Sequence, residues 1–152
     1  MKTFLILHNI RSEHNVGSIF RTADTAGVSK IYLTGYTPTP LDRFGRKSAK
    51  ISKVALGAEE NVSWEKREST PELIQEFAHK RIDIVCVEQD KRSIDYKKFT
   101  LKKDTVYIFG DEVRGLSKEI LDMADKIIEI PMRGKKESLN VSVAAGIILF
   151  NT

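Results

Sequence analysis

Hydrophobic and polar residues alternate along the chain in blocks, and each block has the period of either a strand or a helix. Short apolar runs bounded by turn residues predict strands at 4–9, 30–35, 61–68 and 82–89. Apolar residues at helical spacing predict helices at 14–27, 48–56, 69–80 and 141–150, whereas residues 106–132 predict a strand, a loop, a helix and a further strand. Residues 90–104 are polar and basic and predict exposed surface.

The alternation of strands and helices predicts an α/β fold with a mainly parallel sheet and helices on both faces. Ligands of such sheets bind beyond the carboxyl ends of the strands. Three predicted strand ends carry unusual polar residues: HNIRSEHN at 8–15, FGDEVRGL at 109–116 and IPMRGKKESLN at 130–140. Because a parallel sheet brings these ends to one edge, the three segments are predicted to form one site.

Local signals place the ends of two helices. Thr70 is the expected N-cap of the helix at 69–80, with Pro71 as its first helical residue. Ser138 is well placed to cap the last helix, which would explain the polar entrance to an apolar segment. The alternative is that free backbone N–H groups and the side chains of Ser138 and Asn140 meet a ligand there. Gly17 predicts close packing against the first helix.

Composition narrows the class of protein. The 152 residues fit one domain, 1–152, and 41% hydrophobic with 30% charged residues is ordinary for a globular chain. Cys86, the single cysteine, excludes an internal disulfide and a cysteine zinc cluster and makes a cytoplasmic setting the default. No run reaches the roughly 18 apolar residues that span a membrane. The net charge of +4 and the pI of about 9.1 suit a polyanionic partner.

Each polar segment, taken alone, allows a structural and a functional interpretation. Gly110 and Gly115 flank an Asp-Glu pair, in which Glu112 either is solvated or accepts hydrogen bonds from a ligand. Asn15 either bonds nearby backbone or faces a ligand. Arg21 either lies along the surface or presents its guanidinium to a phosphate. None of the segments has the GxGxxG pattern of a dinucleotide site.

Taken together, the segments resemble a known family. NIRSEHNVGSIFRTA at 9–23, FGDEVRGLS at 109–117 and IPMRGKKESLNVSVAAG at 130–146 resemble the three motifs of the SpoU (TrmH-like) branch of the SPOUT RNA methyltransferases. They occur in the family's order and with family-like spacing. ALGAEE at 55–60 resembles the same branch, and the resemblance covers nearly the whole chain.

The resemblance implies an S-adenosylmethionine-dependent enzyme that methylates a ribose 2′-hydroxyl of tRNA or rRNA. It also implies that the C-terminal part of the sheet is threaded as a deep trefoil knot, which is a rare exception to chain-threading rules. No metal is implied, because the methylsulfonium of the cofactor carries its own activation. The cofactor-binding residues implied in this way are Val87, Glu88, Gly110, Gly115, Ile130, Met132, Ser138 and Leu139.

The same resemblance implies catalytic roles for Arg21, Asn15, Glu112, Ser138 and Asn140. Arg21 matches the family's catalytic arginine, whose expected role is to accept the proton of the ribose hydroxyl with help from an RNA phosphate. Because an arginine normally stays protonated, the alternative role is a phosphate clamp that orients the hydroxyl in line with the methyl group. Family sites usually form across a homodimer, and the apolar last helix with small residues at 144–146 suits that interface.

Basic residues suit the RNA substrate. The expected RNA-binding residues are Arg11, Arg43, Arg46, Lys47, Lys50 and Lys53. The three lysines recur at three-residue spacing and are predicted to line one helix face, with a merely solvated face as the alternative. The second basic run, at 91–103, is predicted to be plain surface.

The RNA target stays open. The chain has the size of a bare catalytic domain and so resembles the small tRNA wobble-position methyltransferases, whereas NVGSIFRTA resembles the branch that modifies other tRNA positions or rRNA. Relatives usually continue past the last helix, so part of the dimer surface is expected to lie beyond residue 152. The alternative functions are an RNA-binding protein without turnover and a flavodoxin-like nucleotide-binding module, against which the missing Gly-rich phosphate loop argues.

Overall fold

The structure, a computed structural model, describes residues 1–151. Within these residues the strands are β1 (Thr3–His8), β2 (Lys30–Thr34), β3 (Trp64–Arg67), β4 (Asp83–Val87), β5 (Ile94–Asp95), β6 (Thr105–Phe109) and β7 (Lys126–Glu129). The helices are α1 (Glu13–Ala26), α2 (Ala49–Ala55), α3 (Ala58–Asn61), α4 (Thr70–His79), α5 (Lys118–Asp122) and α6 (Val141–Leu149), with a 3-10 turn at Tyr96–Lys98.

The strands form one sheet in the order β3-β2-β1-β6-β4-β7-β5, and every neighbouring pair is parallel. Leu5 of β1 lies in register with Ile31 of β2 on one side and with Tyr107 of β6 on the other. The order places the ends of β1, β6, β4 and β7 side by side, although they are far apart in the chain. The predicted α/β fold with a parallel sheet is confirmed.

Helices cover both faces of the sheet, as predicted. Leu5 and Leu7 of β1 point into the hydrophobic core that α1, α2, α3 and α6 cover, whereas Ile6 points into the core under α4 and α5. The same alternation holds in β4, where Val85 faces the first core and Cys86 the second. A strand buried on both faces needs a nearly continuous apolar run, which explains the composition of β1, β4 and β6.

The predicted N-cap of α4 is wrong by one residue. Ser69 caps the helix, because its hydroxyl accepts a hydrogen bond from the backbone N–H of Glu72 at 3.2 Å. Thr70 is the first helical residue, and Pro71 therefore is the second. Burial explains the shift: the Thr70 side chain is only 1% exposed and bonds to the hydroxyl of Thr34 instead.

The predicted N-cap of the last helix is also wrong. Asn140 caps α6, since its Oδ1 accepts hydrogen bonds from the backbone N–H of Ser142 at 2.8 Å and from its hydroxyl at 2.6 Å. Ser138 lies two residues earlier in the exposed loop. An asparagine caps a helix as well as a serine does, so the side chain nearest the first helical turn takes the role.

Close packing at Gly17 is confirmed. A Cβ at this position would lie 2.8 Å from the carbonyl oxygen of Ile51 and 3.0 Å from the Cβ of Val54, both in α2. The absence of a side chain therefore lets α1 and α2 approach closely. Because α1 carries Asn15 and α2 follows the basic loop, this contact fixes two elements of the candidate site relative to each other.

Three features of the rest of the chain bear on function. The thiol of Cys86 is fully buried, and burial raises its pKa to about 12, so it is a packed side chain and not a nucleophile. Of the helices between residues 1 and 151, none has the length and apolar character needed to cross a membrane. In the same range no group of three or more His, Cys, Asp or Glu residues is placed to hold a metal ion.

Candidate functional site

A cavity of about 340 Å³ opens at the carboxyl ends of β4, β6 and β7. All eight residues predicted to bind the cofactor line it: Val87, Glu88, Gly110, Gly115, Ile130, Met132, Ser138 and Leu139. Glu112 lines it too, together with residues that the sequence did not single out: Gln89, Phe109, Asp111, Val113, Arg114, Glu129, Glu137, Val141 and Ala144. The sheet order explains the gathering, because β6, β4 and β7 are neighbours.

The loop at 110–116 forms one wall and is firmly held. Gly115 has a φ of 68°, and a Cβ there would lie 2.2 Å from Oε2 of Glu88. That same oxygen accepts a hydrogen bond from the backbone N–H of Leu116 at 3.0 Å. A Cβ on Gly110 would lie 2.8 Å from the backbone of Gly115, so the loop folds back on itself only because both positions are glycine.

Hydrogen bonds join one residue from each of the three polar segments. The Asn15 side chain donates from Nδ2 to Oε1 of Glu112 at 3.3 Å. Its Oδ1 accepts a hydrogen bond from Nδ2 of Asn140 at 3.2 Å. Asn15 is 8% exposed, so its amide is held between the other two side chains. The prediction that the three segments meet at one edge is confirmed.

Residues 130–140 form the opposite wall, and this wall is open. Every residue from 133 to 140 is exposed, including Ser138. Leu139 is 40% exposed although it lines the cavity. Gln89 steadies the loop by donating a hydrogen bond from Nε2 to the carbonyl oxygen of Glu137 at 2.8 Å. A ligand in the cavity would bury part of this wall.

Arg21 lies apart from the cavity of its own chain. It is exposed on α1 and is not among the described residues that line the cavity. It follows Asn15 by six residues, which corresponds to about 240° after full turns around a helix. The two side chains therefore leave α1 in different directions, and within residues 1–151 the Arg21 side chain makes no hydrogen bond or salt bridge to Asn15, Glu112 or Asn140.

The predicted RNA-binding residues are exposed, but they differ in their partners. Lys47 precedes the N-cap Ser48 and pairs with Glu60 at 2.7 Å, so the prediction that all three lysines line one helix face is wrong for Lys47. Lys50 and Lys53 lie on α2 and, among the described residues, make no salt bridge. Arg46 pairs with Asp42 at 2.7 Å.

An exposed aromatic ring lies among these cations. Phe44 is 67% exposed, and the guanidinium groups of Arg43 and Arg46 lie 4.8 Å and 5.0 Å from its ring centroid. Asp42 shapes the turn by accepting the backbone N–H groups of Phe44 and Arg46, and the latter contact is the main reason that its pKa is lowered. The second basic run differs: Arg92 there pairs with Asp90 and Asp122.

A second, smaller cavity of about 180 Å³ adjoins the first. His8, Asn9, Tyr36 and Ser117 line it, together with three residues that also line the first cavity: Asp111, Arg114 and Gly115. The pKa of His8 is lowered, chiefly because the ring is partly buried. Tyr36 was not among the residues predicted to be functional; the signal for it was an aromatic residue directly after the turn glycine that follows β2.

The match to a family agrees with this geometry. The model of the SpoU rRNA Methylase family matches residues 2–150. The chain belongs to the SpoU rRNA methylase family. The resemblance inferred from the three motifs is therefore confirmed.

Members of the SpoU family with known names or structures are similar over almost the full chain. This chain is 38% identical over 143 residues to the tRNA (guanosine(18)-2′-O)-methyltransferase of Aquifex aeolicus. The match covers 93% of this chain and 64% of that protein. The TrmH/SpoU tRNA modifying enzyme of A. aeolicus has a TM-score of 0.86 at 33% identity, covering 99% of this chain and 73% of that one. The AdoMet-bound rRNA methyltransferase of Sinorhizobium meliloti has a TM-score of 0.85 at 29% identity, covering 99% and 55%.

Proposed function

We propose that this SpoU-family chain transfers a methyl group from S-adenosylmethionine to a ribose 2′-hydroxyl of tRNA or rRNA. The single observation that carries the proposal is the Asn15–Glu112–Asn140 cluster beside a cavity lined by all the expected cofactor residues. The similar proteins named above act on tRNA or rRNA according to their names, and one was solved with AdoMet. The chain covers 64% of the Aquifex protein, so its activity remains a proposal.

The cavity suits the cofactor in size and in lining. Its volume of about 340 Å³ falls within the usual range for small-molecule sites. Apolar side chains such as Val87, Ile130 and Leu139 would contact the adenine, while carboxylates including Glu129 and Glu137 would attract the cationic groups. When bound, S-adenosylmethionine supplies a methyl group that its sulfonium already activates.

The Asn15–Glu112–Asn140 cluster would hold the ribose. Oε1 of Glu112 accepts only the Asn15 hydrogen bond among the described residues, so lone pairs remain to accept one from the ribose 2′-hydroxyl. Glu112 would also take the hydroxyl proton when the oxygen gains the methyl group, which leaves S-adenosylhomocysteine as the second product. Asn15 fixes the direction of that carboxylate, and Asn140 in turn fixes the Asn15 amide. We infer that the cluster positions the hydroxyl oxygen toward the cofactor cavity, which is the main requirement for in-line transfer.

Arg21 would serve as a phosphate clamp supplied by a second copy of the chain. Its exposed position on a face of α1 turned away from Asn15 supports this assignment, because a partner's α1 can bring the guanidinium to the ribose site. A planar guanidinium binds two phosphate oxygens at once, which fixes the RNA backbone and hence the hydroxyl. The protonated state that arginine keeps at working pH favours the clamp over proton acceptance.

A homodimer supplies the surface for that arrangement. Val143 and the C-cap residue Phe150 are 50% and 60% exposed and lie seven residues apart, about two helical turns, so they form an apolar stripe on one face of α6. We propose that a second copy covers this stripe. In sedimentation velocity, Val143→Glu should convert the dimer into a monomer, whereas Leu56→Glu, at an exposed apolar position elsewhere, should not. A wild-type monomer would contradict the proposal.

The basic loop and α2 would contact the RNA backbone. Arg43, Lys50 and Lys53, which lack salt bridges within residues 1–151, would contribute most, since Arg46 and Lys47 already have carboxylate partners. The double variant Lys50→Glu, Lys53→Glu should weaken RNA binding and reduce its salt dependence. The matched control is Lys97→Glu, Lys98→Glu in the second basic run, and an equal loss in both would contradict the assignment.

We also propose the trefoil knot, the single domain 1–152 and a cytoplasmic location. Two contacts support the knot, because the β4–β6 connection meets the final segment at both ends. Gln89 bonds to Glu137 before α6, and Nδ2 of Asn151 donates to the carbonyl oxygen of Tyr96 at 3.2 Å after it. Tyr96 also packs against the hydrophobic core that contains α6. A threaded C-terminus requires that this connection contact the chain both before and after the last helix.

Transfer of labelled methyl groups to RNA tests the proposed function. Total RNA from cells that lack this protein is incubated with labelled S-adenosylmethionine, digested to nucleosides and analysed by mass spectrometry. We expect a 2′-O-methylated nucleoside, and a loss on the order of a hundredfold in rate for Arg21→Lys. A base-methylated nucleoside would contradict the ribose assignment. RNA binding without any transfer would favour the non-catalytic RNA-binding alternative.

A further inference from the structure

Tyr36 presents an aromatic ring next to the proposed ribose site, and no step of the proposed reaction uses it. The residue is 47% exposed, and the guanidinium of Arg11 lies 5.3 Å from the ring centroid. We propose that Tyr36 is the platform on which a nucleobase of the RNA substrate stacks, an inference that rests on the proposed function. Stacking on an aromatic ring beside an arginine is a general way to bind single-stranded RNA.

The ring is held at both ends. At the backbone end, the N–H of Tyr36 donates to Oδ1 of Asn9 at 3.1 Å. At the far end, the hydroxyl donates to Oδ2 of Asp111 at 3.2 Å. An exposed aromatic side chain in an ordinary loop would rotate freely, whereas this ring is fixed before any ligand arrives. Such preorganisation reduces the entropic cost of binding.

The corner beneath the ring is built from unusual backbone. Asn9 has a φ of 56°, which is uncommon for a residue other than glycine, and Gly35 has a φ of 61°. A Cβ on Gly35 would lie 1.7 Å from Oδ1 of Asn9, so the contact that orients Tyr36 requires glycine at this position. Lys66 holds the turn from the other side by donating from Nζ to the carbonyl oxygen of Gly35. Backbone strain of this kind concentrates at functional sites.

Hydrogen bonds from the interior fix the Asn9 amide. Because Oδ1 of Asn9 accepts from Tyr36, its Nδ2 faces Nε2 of His8, at 3.2 Å. Nε2 then acts as an acceptor, and Nδ1 carries the hydrogen that is shared with the hydroxyl of Thr70 at 2.8 Å. Thr70 donates in turn to Thr34 at 2.7 Å. The orientation of the exposed ring is thus set by a directed chain of buried groups.

The platform and the proposed ribose site are joined through neighbouring residues. Asp111, which holds the Tyr36 hydroxyl, is the neighbour of Glu112 in the proposed ribose site. Asp111, Arg114 and Gly115 line both cavities, so the base platform and the cofactor cavity are separated only by the 110–116 loop. A nucleotide whose hydroxyl meets Glu112 would place its own base, or the adjacent one, over Tyr36.

Three substitutions separate stacking from other roles of the ring. Tyr36→Phe keeps the aromatic face and loses the hydroxyl contact, whereas Tyr36→Leu keeps an apolar side chain without an aromatic face. Tyr36→Ala removes both. For each variant, RNA affinity is measured by filter binding with the same total RNA, and affinity for S-adenosylhomocysteine is measured by calorimetry. We expect Tyr36→Phe to stay within about threefold of wild type and Tyr36→Leu to lose on the order of tenfold in RNA affinity.

The readouts also distinguish this inference from the proposed function. Weakened RNA binding by Tyr36→Leu together with unchanged affinity for S-adenosylhomocysteine would support the platform, because the fold and the cofactor site are then intact. Equal RNA affinity in wild type and Tyr36→Leu would overturn the platform while leaving methyl transfer standing. A third outcome is that Tyr36→Leu binds RNA more weakly while the wild type transfers no methyl group. That outcome would support the platform and overturn only the proposed enzymatic function.

Discussion

The two walls of the proposed cofactor cavity differ in how firmly they are held. On the 110–116 side, Glu88 accepts the backbone N–H of Leu116, Gly115 bonds back to Asp111 at 2.8 Å, and Gly110 and Gly115 leave no space for a side chain, although residues 112–114 are exposed. On the other side, residues 133–140 are all exposed. In the part of the chain that the structure describes, two hydrogen bonds tie this segment to elements other than α6, which Asn140 caps; they are made through Glu137 and Asn140.

We infer from this difference that the two walls have different roles. The firm wall carries Glu112 and so sets the geometry of the reacting groups before any ligand is present. The open wall carries Ser138 and Leu139, which can close over a ligand because few contacts have to be broken. Asn140 joins the two walls through its bond to Asn15, so closure on the cofactor would be transmitted to the ribose site.

The largest expected difference between the walls is in tolerance of a single added methyl group. Gly115→Ala should lower the free energy of unfolding by about 3 kcal/mol, because the Cβ would overlap the Glu88 carboxylate at a positive φ. Gly134→Ala in the open wall meets nothing within 4 Å and should change it by less than about 0.5 kcal/mol. Urea denaturation measures both. Equal losses would show that the walls are equally constrained.

Loss of the Asn140–Asn15 hydrogen bond, which joins the two walls, should affect stability less than Gly115→Ala does and should lower the rate of methyl transfer. Asn140→Ala removes the cap of α6 and should cost about 1 kcal/mol of unfolding free energy. Asn140→Asp keeps the cap but puts a charged carboxylate oxygen in place of the amide group that donates to Asn15. Methyl transfer should fall in both variants, whereas stability should fall only in the first. Full transfer by Asn140→Asp would show that the link is not needed.

Lowering the pH should reduce the free energy of unfolding modestly, through His8 in the second cavity next to the firm wall. Burial lowers the pKa of His8 in the folded state. Below the ordinary pKa of about 6.5 the unfolded chain therefore binds the proton before the folded chain does, and the free energy of unfolding decreases as the pH decreases. The slope should not exceed about 1.4 kcal/mol per pH unit down to the folded pKa. Protonation would place a hydrogen on Nε2 against the Asn9 amide. Urea denaturation between about pH 7 and 5 checks this, with His8→Asn as the comparison; the same slope in both would rule out His8 as the cause.

The sequence predicted the elements that follow from local pattern and parallel strands, but not those that depend on tertiary contacts. Asn15, Glu112 and Asn140 could be expected to meet, because polar residues after parallel strands share one edge of the sheet. The helix caps were misplaced, since burial draws Thr70 away from the cap and Asn140 competes with Ser138. No local signal showed β5, which is a two-residue strand that forms only by pairing with β7.

The position of Arg21 and the role of Tyr36 were beyond prediction for related reasons. Arg21 lies in a motif, but the motif does not reveal which direction it takes from α1 or that its own cavity lies elsewhere. Tyr36 is oriented by Asn9, Asp111 and a chain of hydrogen bonds through His8, which are distant in sequence. Side-chain networks of this kind become visible only when the strands are placed next to one another.

Calorimetric binding of S-adenosylhomocysteine tests the central claim, that the cavity between the two walls is the cofactor site. Wild type is compared with Leu139→Arg in the open wall and with Leu56→Arg, an exposed leucine on α2's end that lies outside the cavity. Both substitutions are at exposed positions, so neither should unfold the chain. We predict one site per chain in wild type and in Leu56→Arg, and loss of binding in Leu139→Arg. Unaltered binding by Leu139→Arg, or none by the wild type, would contradict the claim.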